Sequence, residues 1–287
     1  MANESTPITL PNSSQFDLEN SHGQKYLIQL SWPLHWQDGH PTSPLPIIYI
    51  VDGNALFLTA TETAWRRAVS SRFAGGGLIV AIGYPQTDNL FNFQRRNLDL
   101  TPPSEHPVPG HGGADEFLAF ITDIVRPAVK ARFPHLTCSR EALYGHSYGG
   151  LLALHALFTR SDSFDCYIAS SPSIWWNGRC ILEEARSFLG RQRASGRDRL
   201  PSLMAFVGSF EQNPPQWSDE TQEQYKERKR IAADLRMGDD VLELCDLLRD
   251  SPHLQSVYVQ EYEGEEHTSV MACSMSRGLT MFFEDGH

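Results

Sequence analysis

Three runs up to the middle of the chain, "PIIYIVDG" (46–53), "GLIVAIGYP" (77–85) and "EALYGHS" (141–147), are apolar without alternating with polar residues. A strand packed on one side only carries polar residues at every second position, because successive side chains point to opposite faces. Short apolar runs rich in Val, Ile and Tyr and bounded by turn residues therefore read as strands covered on both faces, the habit of a parallel sheet between helical layers. Four further apolar runs bounded by turn residues also read as strands: "YLIQLSW" (26–32), "DCYIASSP" (165–172), "SLMAFVGSFE" (202–211) and "SVYVQEYEG" (256–264). Upstream, "SQFDLENSHGQKYLIQL" reads as a hairpin turning at Ser21–Gln24.

Helical spacing fills several of the intervals. "ADEFLAFITDIVRPAVKARF" opens on two acids and closes on bases, matching the helix dipole at both ends, and Pro127 within it predicts a kink or a boundary. "GGLLALHALFTR" and the terminal "TSVMACSMSRGLTMFFE" are further helices. Strands alternating with helices predict an α/β chain, residues 1–287 as one domain with a mostly parallel central sheet and helices on both faces. The N-terminal hairpin spans about 14–32. Two stretches break the alternation. Residues 86–112 are too long and irregular for a simple connection and read as an active-site loop, and residues 213–252 read as a charged helical insertion whose "KERKR" cluster is a solvated face.

The bulk numbers remove some classes of function. Lys and Arg number 24 against 35 Asp and Glu, a formal charge of -11, so the surface repels nucleic acid and anionic membranes. Five scattered cysteines, without a CxxC pair, form neither a disulfide framework nor a zinc site and suit a reducing compartment. The N-terminus lacks the basic-then-apolar order of a signal peptide, and no apolar run approaches membrane-spanning length. The expectation is a soluble cytoplasmic protein.

The chemistry begins at "YGHSYGG" (144–150). A G-x-S-x-G match alone arises by composition in about one chain in ten of this length. Here a strand ends at it and an apolar helix starts from it, the setting of a nucleophile elbow in which a strained turn presents the serine. Ser147 is thus the candidate nucleophile, and it needs a base to take its proton. In the chain order of such sites the acid follows the serine and the base comes last, and His267, after the final strand in "YEGEEHTSV", fits. The other histidines fit less well. His146 is inside the elbow, and His155 lies in the next helix, in a packing position. His106 and His111 sit in the long loop, solvated or facing substrate, while His253 precedes the last strand at the wrong end of the sheet. Glu211, in "GSFEQ" just beyond a strand, is the candidate acid, with Asp219 as runner-up and a Ser–His dyad as the alternative to either. Two backbone N–H groups are needed as an oxyanion hole, and Tyr148, after the nucleophile, and Gly53, in the "VDGN" turn, are the candidates. Asp52 or Asn54 could instead brace that turn.

"YIVDGNALF", "FNFQRRNLDLTPP", "YGHSYGGLLALHALF", "SSPSIWW", "FVGSFEQ" and "GEEHTSV" occur in an order that resembles the Putative esterase family of α/β hydrolases. More narrowly they are similar to its trilactone and ferric-siderophore esterases, in the flavour of fungal enzymes acting on fusarinine-type siderophores such as triacetylfusarinine C. The match runs from about residue 26 to 285. The resemblance implies the α/β-hydrolase fold and a carboxylic ester hydrolase with Ser147, His267 and Glu211 as a triad. It also implies Gly53 and Tyr148 as oxyanion donors and Arg96 as a substrate-binding residue. The partner implied is a small-molecule ester, a ferric siderophore whose iron is released inside the cell, and the hydrolysis requires no cofactor and no metal of the protein's own. Phe91, Phe93, Trp175 and Trp176 could wall a pocket for a bulky ligand, or pack in the core; Arg95 and Arg96 could alternatively pair with Asp99. The rival readings are an esterase or thioesterase of small acyl substrates, similar to S-formylglutathione hydrolase, and a hydrolase fold that binds ligand without catalysis.

Overall fold

The computed structural model describes residues 6–36, 44–69, 75–85, 89–192 and 199–284. Their strands form one eight-stranded sheet in the order β1-β2-β4-β3-β5-β6-β7-β8. The strands are β1 (Ser13–Glu19), β2 (Lys25–Ser31), β3 (Leu45–Val51), β4 (Leu78–Gly83), β5 (Cys138–His146), β6 (Cys166–Ser170), β7 (Ser202–Gly208) and β8 (Ser256–Tyr262). The hairpin β1–β2 is antiparallel and β2 joins β4 antiparallel; every other pairing is parallel. Each run read as a strand is one.

The lack of alternation in β3 has the expected cause. Ile47, Tyr49 and Val51 belong to the core on one face of the sheet, and Ile48 and Ile50 to the core on the other. Helices α1 (Gly53–Arg66) and α9 (Val270–Glu284) cover the second face. The first face is covered by α3 (Ala114–Phe120), α4 (Arg126–Arg132), α5 (Tyr148–Thr159), α6 (Trp176–Leu189) and α8 (Met237–Leu248). Two further helices, α2 (Phe93–Asp99) and α7 (Gln222–Leu235), lie outside these layers. The α5 helix is buried from Gly149 to Phe158, which explains its apolar character on all sides.

The expected break at Pro127 takes a definite form. Between α3 and α4 the chain makes a π-helical turn, Ile121–Val125, just ahead of the proline. Proline has no N–H to give the carbonyl four residues back and its ring crowds that carbonyl, so widening the turn there accommodates both defects.

The structure departs from the sequence reading in three places. The stretch 86–112 is not wholly irregular: α2 forms within it, capped by the Asn92 side chain accepting from Arg95 N, and residues 86–88 lie outside the described residues. Of the supposed insertion 213–252, α7 alone stands on the surface; α8 buries Met237, Val241, Leu244, Cys245 and Leu248 in the core as the crossover from β7 to β8. The α1 and α6 helices went unread. Three threonines (59, 61 and 63) weaken the helical signal of α1, and burial of Leu56, Phe57, Ala60 and Ala64 overrides it. The α6 helix opens on left-handed residues Asn177, Gly178 and Arg179, which hide its start.

Candidate active site

At the carboxyl end of β5 the backbone turns at Ser147 with φ 59° and ψ -118°, a region that residues with a Cβ rarely occupy. Ser147 N donates to Ser170 O at 2.9 Å and Leu151 N to Ser147 O at 3.0 Å, so strand β6 and helix α5 hold the turn from both sides. The turn is tight enough to require glycine at Gly145, where a Cβ would lie 2.0 Å from Gly149 O. The second close approach is at Gly53, where a Cβ would lie 2.9 Å from Ile82 N on β4. Gly53 is the first residue of α1 and Tyr148 the first of α5. Amides in a first helical turn have no partner within the helix, and both helix termini carry positive potential, so each position can present a donor to an anion.

His267 lies between β8 and α9, and Glu211 follows β7 in a single 3-10 turn. His267 Nδ1 is 2.5 Å from Glu211 Oε2. The other carboxylate oxygen, Oε1, accepts from Gly208 N at 2.7 Å and from Ser171 Oγ at 2.6 Å. An ionised carboxylate only accepts, so this arrangement calls for the proton on Nδ1 and leaves Nε2 of His267 able to act as a base. The Glu211 side chain is 1 % exposed and the imidazole 41 %, so the pair is anchored at one end and open at the other. The Ser147 hydroxyl has its hydrogen-bond contact, among the described residues, with Ser173 Oγ at 3.3 Å. Ser147 and His267 line one pocket of about 180 Å³ together with Phe91, Phe93, Arg96, His146, Thr268 and Met271.

His146 forms part of this pocket without competing for the role of base. Its ring is buried, its centroid 4.6 Å from that of His267, and its Nδ1 is 3.1 Å from Ser170 Oγ. Burial, with the nearby His267 and Arg96 adding to it, holds its pKa well below the usual histidine range, so the ring stays neutral.

Arg96 is buried and gives Nε to Asp52 Oδ1 at 3.0 Å and Nη2 to Asp52 Oδ2 at 2.9 Å. Burial opposes its charge, but the Asp52 carboxylate outweighs burial and the guanidinium is held firmly protonated. Of the alternative pairing of Arg95 and Arg96 with Asp99, only the Arg95 half forms. Consecutive helical residues point about 100° apart, and Arg95 Nη2 faces Asp99 at 3.9 Å while Arg96 turns to Asp52. Both bracing roles suggested for the "VDGN" turn occur, since the Asn54 side chain accepts from Tyr84 N at 2.7 Å and donates to Tyr84 O at 3.0 Å.

Of the aromatic residues expected around substrate, Phe91 and Phe93 line the pocket, Phe93 being 62 % exposed. Trp175 is half-buried, 6.1 Å from the Tyr148 ring. Trp176 is a core residue and the pocket excludes it: it is buried and stacked on His111 at 6.0 Å. The runner-up acid, Asp219, is exposed in a surface groove beside Trp217. His253 packs on Phe188, His155 sits between Asp115 and Glu184, and His106 is exposed. Sequence reasoning missed Thr268, Met271 and Ser171, none of which belongs to a motif with a chemical signature. It also missed the Asp52–Arg96 pair, for which an acid directly before the critical glycine was the available signal.

A family model described as Putative esterase matches residues 19–244. The chain is 63% identical over 286 residues to the siderophore triacetylfusarinine C esterase of Aspergillus fumigatus, covering 99% of this chain and 98% of that protein. It is 45% identical to the siderophore enterobactin esterase of Emericella nidulans, covering 95% of this chain and 94% of that one. Among solved structures, siderophore hydrolase EstB from Aspergillus nidulans superimposes with a TM-score of 0.94 at 55% identity, covering 99% of this chain and 98% of that chain.

Proposed function

This chain belongs to the Putative esterase family, and from that premise we propose that it is a serine esterase that opens the ester bonds of a hydroxamate siderophore of the fusarinine type. The observation that carries the chemistry is the convergence of Ser147, His267 and Glu211 at the carboxyl ends of β5, β8 and β7. The close likeness to a triacetylfusarinine C esterase supports the substrate class.

In this reading Glu211 holds the His267 imidazole with Nδ1 protonated and offsets the charge that forms on it. His267 Nε2 takes the Ser147 proton as Oγ attacks the ester carbonyl. The Gly53 and Tyr148 amides receive the negative charge that develops on the carbonyl oxygen. The imidazolium then protonates the departing alkoxide, leaving an acyl-enzyme. A water, deprotonated by His267, attacks that acyl group and releases the acid and Ser147. A pocket of about 180 Å³ accommodates one ester arm, so the bulk of the ferric complex rests outside it, against the exposed Phe93 rim and the Arg96 side. Once the ester links are cut, the three hydroxamates no longer share one ring, their effective concentration at the iron falls, and the metal exchanges more readily. The five cysteines form no disulfide among the described residues, in keeping with action in the reducing cytoplasm, where release of iron would serve iron homeostasis. Nucleic acid and membranes have no place in the reading.

Incubation of the purified protein with ferric triacetylfusarinine C should yield linear fragments by mass spectrometry, and Ser147→Ala should yield none. Hydrolysis of simple esters with the ferric siderophore left intact would overturn the substrate and leave the esterase chemistry standing.

A further inference from the structure

Resting on the reading of Ser147, His267 and Glu211 as catalytic, we propose that the segment Ser170–Ser173 is a positioning strap for all three, with Ser171 setting the Glu211–His267 pair. The segment "SSPS" leaves β6 beside the elbow because β5 and β6 pair in parallel with His146 opposite Ser170. Each of its serines reaches a different part of the site. Ser170 Oγ lies 3.1 Å from His146 Nδ1 and 2.7 Å from Ser274 Oγ, which in turn lies 3.0 Å from Tyr144 OH. Ser171 Oγ donates to Glu211 Oε1 at 2.6 Å. Ser173 Oγ is 3.3 Å from the Ser147 hydroxyl, and Ser173 N donates to Ser147 O at 3.2 Å.

All three side chains are buried, Ser170 and Ser171 completely. Burying a hydroxyl is unfavourable unless it is hydrogen-bonded, and an alanine would fill the same space without that cost. Three buried hydroxyls within four residues, directed at His146, Glu211 and Ser147 in turn, are therefore explained by the positions they hold better than by packing. Ser171 adds a second sign of constraint, with φ 42°, a left-handed conformation that non-glycine residues keep only where their surroundings impose it. Its N–H donates to Phe206 O on β7 at 2.7 Å, so the residue is fixed to the strand that ends at Gly208, three residues before Glu211.

The consequence is electrostatic as well as geometric. The titratable and charged groups around the His267 imidazole are Glu211, the neutral His146, Glu266 beside it in sequence, and Arg96 across the pocket. The Ser171 hydroxyl draws charge toward Oε1 and so moderates what Oε2 offers to the imidazolium. Without it the carboxylate holds the protonated imidazole more strongly. The carboxylate also loses one of two anchors on Oε1, and the imidazole loses definition with it.

The test is steady-state hydrolysis of 4-nitrophenyl butyrate by Ser171→Gly and Ser171→Ala, alongside wild type, Ser147→Ala, Glu211→Gln and the double variant of Ser171→Ala with Glu211→Gln. Glycine suits the left-handed backbone and alanine keeps the Cβ, so the hydroxyl is removed in two backgrounds of different foldability. Both variants should lose about tenfold in kcat with KM unchanged, whereas adding Ser171→Ala to Glu211→Gln should cost little further, because the hydroxyl acts through that carboxylate. A kcat within twofold of wild type overturns the proposal, and so does an undiminished further loss when Ser171→Ala is added to Glu211→Gln, which a structural defect independent of the carboxylate would produce. Full activity in Ser147→Ala would instead remove the catalytic reading on which the strap depends.

Discussion

Glu211 divides its two oxygens between different tasks, one anchored to Gly208 and Ser171 and the other presented to His267. The residue type was legible in the sequence, since an acid was expected after that strand. The donors that immobilise it were not, because Ser171 lies 40 residues away and a buried serine looks like any other in a sequence. Gly145 is the opposite case, a residue whose necessity could be read in advance and whose cause is now explicit. Gly145→Ala should lower the unfolding free energy by more than about 4 kcal/mol in denaturant titrations, as expected of a severe overlap in a core. A midpoint close to wild type would mean that α5 moves away from the elbow at little cost.

At the scale of elements, the helix that follows Ser147 is clamped by a buried histidine. His155 Nδ1 lies 2.7 Å from Glu184 Oε2 on α6, and Nε2 faces Asp115 Oδ1 on α3 at 3.4 Å, with Arg160 also at Asp115. Burial opposes protonation of this ring, but the two carboxylates outweigh it and raise its pKa to about 9. A histidine whose folded pKa exceeds its unfolded value contributes stability that is complete below the unfolded value, about 6.5, and is lost as pH rises through the folded one. The stability gap between wild type and His155→Gln, measured by urea unfolding, should be on the order of 3 kcal/mol at pH 6 and shrink markedly between pH 7 and pH 9.5. A gap that stays constant over that range would rule out a charged His155. The sequence reading placed this histidine in packing, which is where it sits. Its ionic partners come from two other helices, and α6 itself was invisible because its first turn is left-handed. Elements with an uninterrupted apolar period, such as β3, β5 and α5, were legible; those whose entry is broken or whose threonines disfavour helix depended on their neighbours.

Over the whole molecule, the Asp52–Arg96 pair ties the loop beyond β4 to the turn beyond β3, joining the aromatic rim of the pocket to the Gly53 amide. Asp52→Ala leaves a buried guanidinium uncompensated and should destabilise the protein by about 3–5 kcal/mol, whereas the double variant Asp52→Ala with Arg96→Leu should recover much of that loss. Thermal melts of the three proteins measure this directly, and additive losses in the double variant would show that the two side chains are independent. Such ties mark the boundary between what was readable from the chain and what was not. By itself the sequence determined the parallel sheet, the elbow at Ser147 and the succession of a candidate serine, acid and base after β5, β7 and β8, because each follows from local periodicity or from backbone geometry over a few residues. Only the tertiary structure decided that Arg96 turns to Asp52, that Trp176 is buried behind His111, that α8 belongs to the core, and that Ser171 holds Glu211. Those are contacts between side chains brought together by strand register and helix packing, and no local pattern in the chain encodes which distant partner a buried charge or hydroxyl will meet.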